Sequence, residues 1–169
     1  MISNEIITAI HTRRSIRKFT SQPIDDGHID EILEAGRWAP SGLNNQPWSF
    51  VIVRKRLMLN DLSRLTKYGR TIRECCMCIC VFYNLPDGYN RDKDLLSIGA
   101  CIQNMLLSAH SNGIGSVWLG EILNRKNEVN DLFSISSDHE LMAVIALGYP
   151  AENPRSSRKK ISRLVLKKL

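Results

Sequence analysis

The densest chemistry in the chain lies at residues 11–19, HTRRSIRKF, where Arg13, Arg14, Arg17 and Lys18 crowd around the hydroxyl of Ser15. Such a cluster suits an anion. It can grip a polyanionic surface, or it can hold one phosphate with forked guanidinium donors. The charge distribution bears on that choice. The chain has 169 residues and a net charge of +6. All 17 acids lie at or before Glu152, whereas Arg155, Arg158, Lys159, Lys160, Arg163, Lys167 and Lys168 follow with no acid among them. The body of the chain is therefore close to neutral, and the excess is a short basic tail. Such a tail can bind nucleic acid electrostatically or reach back to one anionic ligand.

A second stretch, PSGLNNQP at 40–47, sets Ser41, Asn44, Asn45 and Gln46 between Pro40 and Pro47. Hydroxyl and amide side chains supply donors and acceptors, and the prolines stiffen the loop. Combined with the arginine knot, it describes an anion socket at one end and amide readers at the other. That pairing suits a phosphorylated heteroaromatic ligand. A third stretch, GIGSVWLG at 113–120, tempts a dinucleotide reading, but a helix precedes it and a strand runs through it, the reverse of that fingerprint. It reads either as a helix stop with an edge turn, or as Leu119 and Gly120 bringing bare backbone close to a flat ligand.

Other chemistries lack support. His11, His28, His110 and His139 form no metal-ligand spacing, and no nucleophile elbow is present. Four of the five cysteines fall in ECCMCIC, which is no disulfide framework. Read as a strand, this run puts Cys76, Cys78 and Cys80 on one face. Residues two apart there stand about 7 Å from each other, too far for thiolates sharing one zinc, so they read as core. The apolar runs fall far short of the roughly 20 residues of a membrane span. The N-terminus lacks the basic-then-apolar order of a signal peptide, which makes the cytoplasm the expected compartment.

These residues need elements to position them. Residues 3–11 read as a helix with Ile6, Ile7 and Ile10 on one side. A second helix, capped by Asp25 or Asp26, carries a buried stripe of Ile29, Ile32, Leu33 and Gly36 and ends before Pro40. WSFVIV at 48–53 reads as a buried strand, and 55–67 as a helix with Leu57, Leu62 and Leu65 inward. The cysteine strand spans 76–83. A long helix over about 92–111 has an apolar face of Leu95, Ile98, Ile102, Met105, Leu106 and Ala109, stopped by Asn112-Gly113. Turn and strand follow at 113–120, a helix at 124–133 and a last buried strand at 141–149. Helices and strands alternate, which predicts helix layers on both sides of one sheet. With 43% apolar residues the chain reads as one domain over 1–169, including a basic tail at 155–169. Trp38, Trp48 and Trp118 are candidates to line a pocket, Trp48 being the best suited to the core.

Taken in order, RRSIRKF, APSGLNNQPWSFVIV, GIGSVWLGEI and ALGYPAENPRSSRKK give the chain a resemblance to the FMN-dependent nitroreductase family. The resemblance runs over nearly the whole length. It implies an α+β, three-layer α/β/α fold with a central, mostly antiparallel sheet, and a homodimer with FMN at the subunit interface. It further implies that Arg13, Ser15 and Arg17, with Arg14 in the same motif, hold the FMN phosphate, ribityl chain and ring edge. Pro40, Ser41, Asn44 and Gln46 match the segment that reaches FMN largely from the partner. Leu119 and Gly120 match the segment against the ring, and Arg158 matches the tail base on the phosphate, with Lys159 as its alternative. No side chain is assigned a catalytic role and no metal is implied, since the redox chemistry belongs to the cofactor. The implied reaction passes hydride from NADH or NADPH through FMN to a nitroaromatic, quinone or similar small acceptor, in ping-pong order. Two alternatives are an FMN-binding or storage module without turnover, and a nucleic-acid binder using the tail. The short YNLPDGYNRDK stretch leaves little room for the helical insert of larger relatives.

Overall fold

In the computed structural model, residues 3–169 are described, with side chains from residue 5 onward. Helices α1 (Ser3–Thr12) and α2 (Asp26–Arg37) precede strand β1 (Trp48–Val53). Helices α3 (Arg56–Ser63) and α4 (Gly69–Glu74) precede β2 (Met77–Asn84). The long α5 (Arg91–Ser111) leads into β3 (Gly115–Leu119), and α6 (Lys126–Phe133) into β4 (His139–Gly148). The strands form one sheet in the order β1-β2-β4-β3, and every neighbouring pair is antiparallel.

The apolar run of β2 explains its central place. Met77, Ile79, Val81 and Tyr83 face the core formed with α2 and α5. Cys78, Cys80 and Phe82 face a second core with Leu59, Leu62, Ile72 and Val129 from α3, α4 and α6. A strand buried on both faces reads as continuous apolar sequence. Two cores on one sheet give the expected three layers. A bulge shifts the register between Val81 and Phe82, opposite Ala143 and Leu141, so Leu141 joins Val144 and Ala146 in the second core while Ala143, Ile145 and Leu147 face the first. Among the described residues, no helix is long and apolar enough to cross a membrane.

Asp25 caps α2, accepting from the Gly27 amide at 2.8 Å, and Asn90 caps α5, accepting from the Lys93 amide at 3.2 Å. The helix expected over 55–67 stops at Ser63, whose hydroxyl donates back to the Asn60 carbonyl at 2.7 Å. Beyond it, the Glu121 carboxylate accepts from the Thr66 hydroxyl and the Lys67 amide, at 2.7 and 2.9 Å, and turns the chain away. Leu57 is not inward: it is 77% exposed, and Leu59 takes its place. β1 is not a buried strand but an edge, with Ile52 facing out. The three cysteines do not share a face. Cys76 precedes β2 and packs on the α5 side, while Cys75, Cys78 and Cys80 lie in the opposite core. Burial pushes the Cys101 thiol up to about 12 and the Cys80 thiol higher still, so both stay protonated as packing groups.

Candidate functional site

After α1 the chain runs along the sheet beside β3 and past the end of β4. Ser15 bridges Ser116 in parallel fashion, and Phe19 bridges Pro150. The Ile16 amide donates to the Ser116 carbonyl at 3.0 Å, and the Thr20 amide to the Tyr149 carbonyl at 2.9 Å. Extended backbone alternates its side chains. Ile16 is buried while Ser15 and Arg17 face out. Two glycines make room for this segment. They are register partners, Gly115 on β3 and Gly148 on β4. A Cβ on Gly115 would meet Ile16 at 2.9 Å, and one on Gly148 would meet Phe19 at 2.7 Å.

The tail folds back onto the same segment. The Ala151 amide donates to the Lys18 carbonyl at 2.9 Å. The Glu152 carboxylate accepts from the Arg17 and Lys18 amides at 2.6 and 3.2 Å. The result is a cavity of 220 Å³ lined by Arg13, Arg14, Ser15, Arg17, Pro154, Arg155, Ser156 and Arg158. Five residues named from sequence thus meet in one place. Sequence reasoning missed Arg155, which lines the cavity, and Glu152, which pins its wall. Nothing in the sequence marks Glu152, because its partners are backbone amides 134 and 135 residues away.

The cavity gathers like charges, and among the described residues no carboxylate lines it. Among the described residues, no carboxylate pairs with Arg13, Arg17 or Arg158. Burial, followed by the Arg158 and Arg14 guanidiniums, lowers the pKa of Arg13. Burial, followed by the Arg13 and Arg14 guanidiniums, lowers that of His110, whose Nε2 lies 2.8 Å from the Thr12 hydroxyl. A site of this kind gains by taking an anion. A larger cavity of 520 Å³ at the start of β4 differs: its bases Arg91 and Lys126 are both engaged by Glu140, each at 2.6 Å.

Leu119 ends β3, three residues on from Ser116 and so about 10 Å along the strand from the socket, and Gly120 follows it. The Leu119 side chain is buried in the core, and no atom lies within 4 Å of a Cβ built on Gly120. What this segment can offer a flat ligand is backbone. Trp118 is half exposed, Trp38 is exposed with its Nε1 donating to Glu34, and neither lines the arginine cavity. Trp48 lies in the core.

The loop holding Pro40, Ser41, Asn44 and Gln46 lies elsewhere. It enters β1, at the opposite edge of the sheet from β3. It does so at the end where Trp48 pairs with Tyr83, whereas the socket lies at the end where Gly115 pairs with Gly148. Three strand spacings and the length of β2 separate these corners, roughly 30 Å along the diagonal. One chain does not bring the two halves of the predicted site together.

Comparison with known proteins identifies the family of this fold. The model of the nitroreductase family matches residues 10–75 and 62–149. A protein of Methanothermobacter thermautotrophicus named for NADH dehydrogenase and NAD(P)H nitroreductase is 37% identical, over 89% of this chain and 80% of its own. A Desulfovibrio desulfuricans protein of the nitroreductase type, solved in complex with FMN, superposes with a TM-score of 0.93 at 40% identity, over 99% of this chain and 98% of that one. The NADPH:FMN oxidoreductase of Vibrio harveyi, solved with NAD⁺, gives a TM-score of 0.90 at 26% identity, over 98% and 78% of the two chains. With its two cores on one antiparallel sheet and its matched segments running from the arginine knot through β4, the chain belongs to the nitroreductase family.

Proposed function

We propose that the protein is an NAD(P)H-dependent FMN oxidoreductase, acting on a nitroaromatic, quinone or similar small acceptor. The observation that carries this reading is the arginine cavity: a preformed cluster of guanidiniums lined, among the described residues, by no carboxylate, with room for a phosphate. Arg13, Arg17 and Arg158 would hold the FMN phosphate with charge-assisted hydrogen bonds, and Ser15 would add a hydroxyl. Leu119 and Gly120 would lie against the ring, offering an open backbone edge. FMN supplies the two-electron chemistry, with the nicotinamide donor and the acceptor using one ring face in turn. The Desulfovibrio relative binds FMN and the Vibrio relative carries NAD⁺, which supports this pairing of cofactors.

The same reading makes the protein a homodimer, each flavin site drawing Pro40, Ser41, Asn44 and Gln46 from the partner. Two observations support it. The halves of the site lie at opposite corners of one chain. Helix α1 turns Ile6, Ile7 and Ile10 outward at 56, 49 and 48% exposure, an apolar stripe in need of cover. The cytoplasm, which holds the nicotinamide donors, is its proposed place.

The test is anaerobic reduction of the purified protein with NADH and NADPH in turn, followed by a panel of acceptors. A yellow protein that bleaches and regains colour with a nitroaromatic or quinone supports the reading. A yellow protein inert to both nicotinamides would make it a flavin store. A colourless protein that FMN cannot reconstitute would overturn it.

A further inference from the structure

Asp94, in the first turn of α5, is fully buried and has no part in the chemistry above. Its carboxylate accepts four hydrogen bonds. Asn45 Nδ2 donates to Oδ1 at 2.8 Å. The Tyr83 hydroxyl donates to Oδ2 at 2.8 Å, and the Tyr89 and Asn90 amides do so at 3.0 Å each. Among the described residues no cation pairs with it. The helix N-terminus and these donors hold the charge instead. Asn45 also donates to the Asp87 carbonyl at 2.9 Å, so one side chain spans from the 40–47 loop to the β2–α5 connection and to α5 itself.

That loop needs such a hold. Leu43, Asn44 and Gln46 have φ of 56, 55 and 48°, the left-handed region that residues with a Cβ avoid. Conformations of this kind persist only where the surroundings over-determine them. The bonds inside the loop, Gln46 amide to Ser41 Oγ at 3.0 Å and Gln46 Nε2 to the Asn44 carbonyl at 3.2 Å, shape it without fastening it to the body. Asn45 fastens it, and the Tyr89 ring lies against Gly42, where an added Cβ would sit 1.9 Å from the hydroxyl.

We infer that Asp94 is a positioning residue for the cofactor: through Asn45 it holds loop 40–47 in the strained form that presents Ser41, Asn44 and Gln46 to the flavin. The inference rests on the proposed FMN reading. A purely architectural Asp94 would stabilise the turn before α5 and leave cofactor affinity alone.

The experiment compares FMN and riboflavin, which lacks the phosphate, by fluorescence titration of full-length protein. Asn45→Ala cuts the tie while leaving Asp94 three donors. It is expected to weaken FMN and riboflavin by a similar factor, about tenfold, the scale of one lost hydrogen bond near a charge. Arg13→Ala is expected to weaken FMN alone. Ile72→Val, in the core of the other sheet face, is the control: it lowers thermal stability and leaves both affinities unchanged. Wild-type affinities in Asn45→Ala, with FMN loss in Arg13→Ala, would overturn the inference and keep the flavin reading. A wild-type protein that binds neither flavin would overturn the reading itself.

Discussion

Arg14 differs from its neighbours in the knot because the fold already uses it. Its Nη1 donates to the His11 and Arg13 carbonyls, at 2.7 and 2.9 Å, and closes the open C-terminal end of α1. Arg13 makes no such bond among the described residues and carries the electrostatic load of the cavity. The two should therefore separate on mutation. Arg13→Ala should weaken FMN by roughly 10- to 100-fold, the range of a lost charge-assisted bond, with little change in melting temperature. Arg14→Ala should cost about 1 kcal/mol of stability with a smaller loss of affinity. Titration and thermal melts on the same samples check both. At Asp94, burial pushes the carboxyl up, but the Asn45, Tyr83, Asn90 and Tyr89 donors outweigh it and hold its pKa below the ordinary value. A folded pKa below the unfolded one stabilises above about pH 4 and is lost as pH falls through the folded value. Asp94→Asn should thus lower stability at neutral pH and flatten its further decline in acid, read from urea midpoints across pH 2.5–6 (about two units around the carboxylate range). Arg13, Ser15 and Arg17 were legible in the sequence because they sit within five residues of one another. Asp94 and Glu152 were not, because each acts on groups that only tertiary folding brings near.

The elements follow the same division. β2, β4 and α5 were legible because long apolar runs and a wide apolar face leave them one place, between two layers. The break between α3 and α4 was not, because side-chain bonds of Ser63 and Glu121 decide it rather than periodicity. The exposure of β1 follows from strand order, which its apolar sequence does not encode. One element-scale device joins fold to site: the paired glycines of β3 and β4, against which Ile16 and Phe19 pack. Gly148→Ala would push Phe19, and with it Arg17, off the sheet. Overpacking of this kind costs about 1–3 kcal/mol. It should also weaken FMN more than riboflavin, since the displaced group faces the phosphate cavity. Urea unfolding and the paired titrations would show it.

At the scale of the whole molecule, the diagonal placement of the socket and the amide loop has a thermodynamic consequence. A ligand that touches opposite corners of two copies belongs to neither alone. On the proposed assembly, holding the flavin and holding the partner become one equilibrium, and mass action ties them. Excess FMN should lower the concentration at which the subunits part, as read by sedimentation. Dilution of the holoprotein should release flavin, seen as recovering fluorescence, well above the concentration expected from its affinity for the intact pair. Colour would then report self-association, and scarcity of cofactor would be felt first as a loosening between subunits.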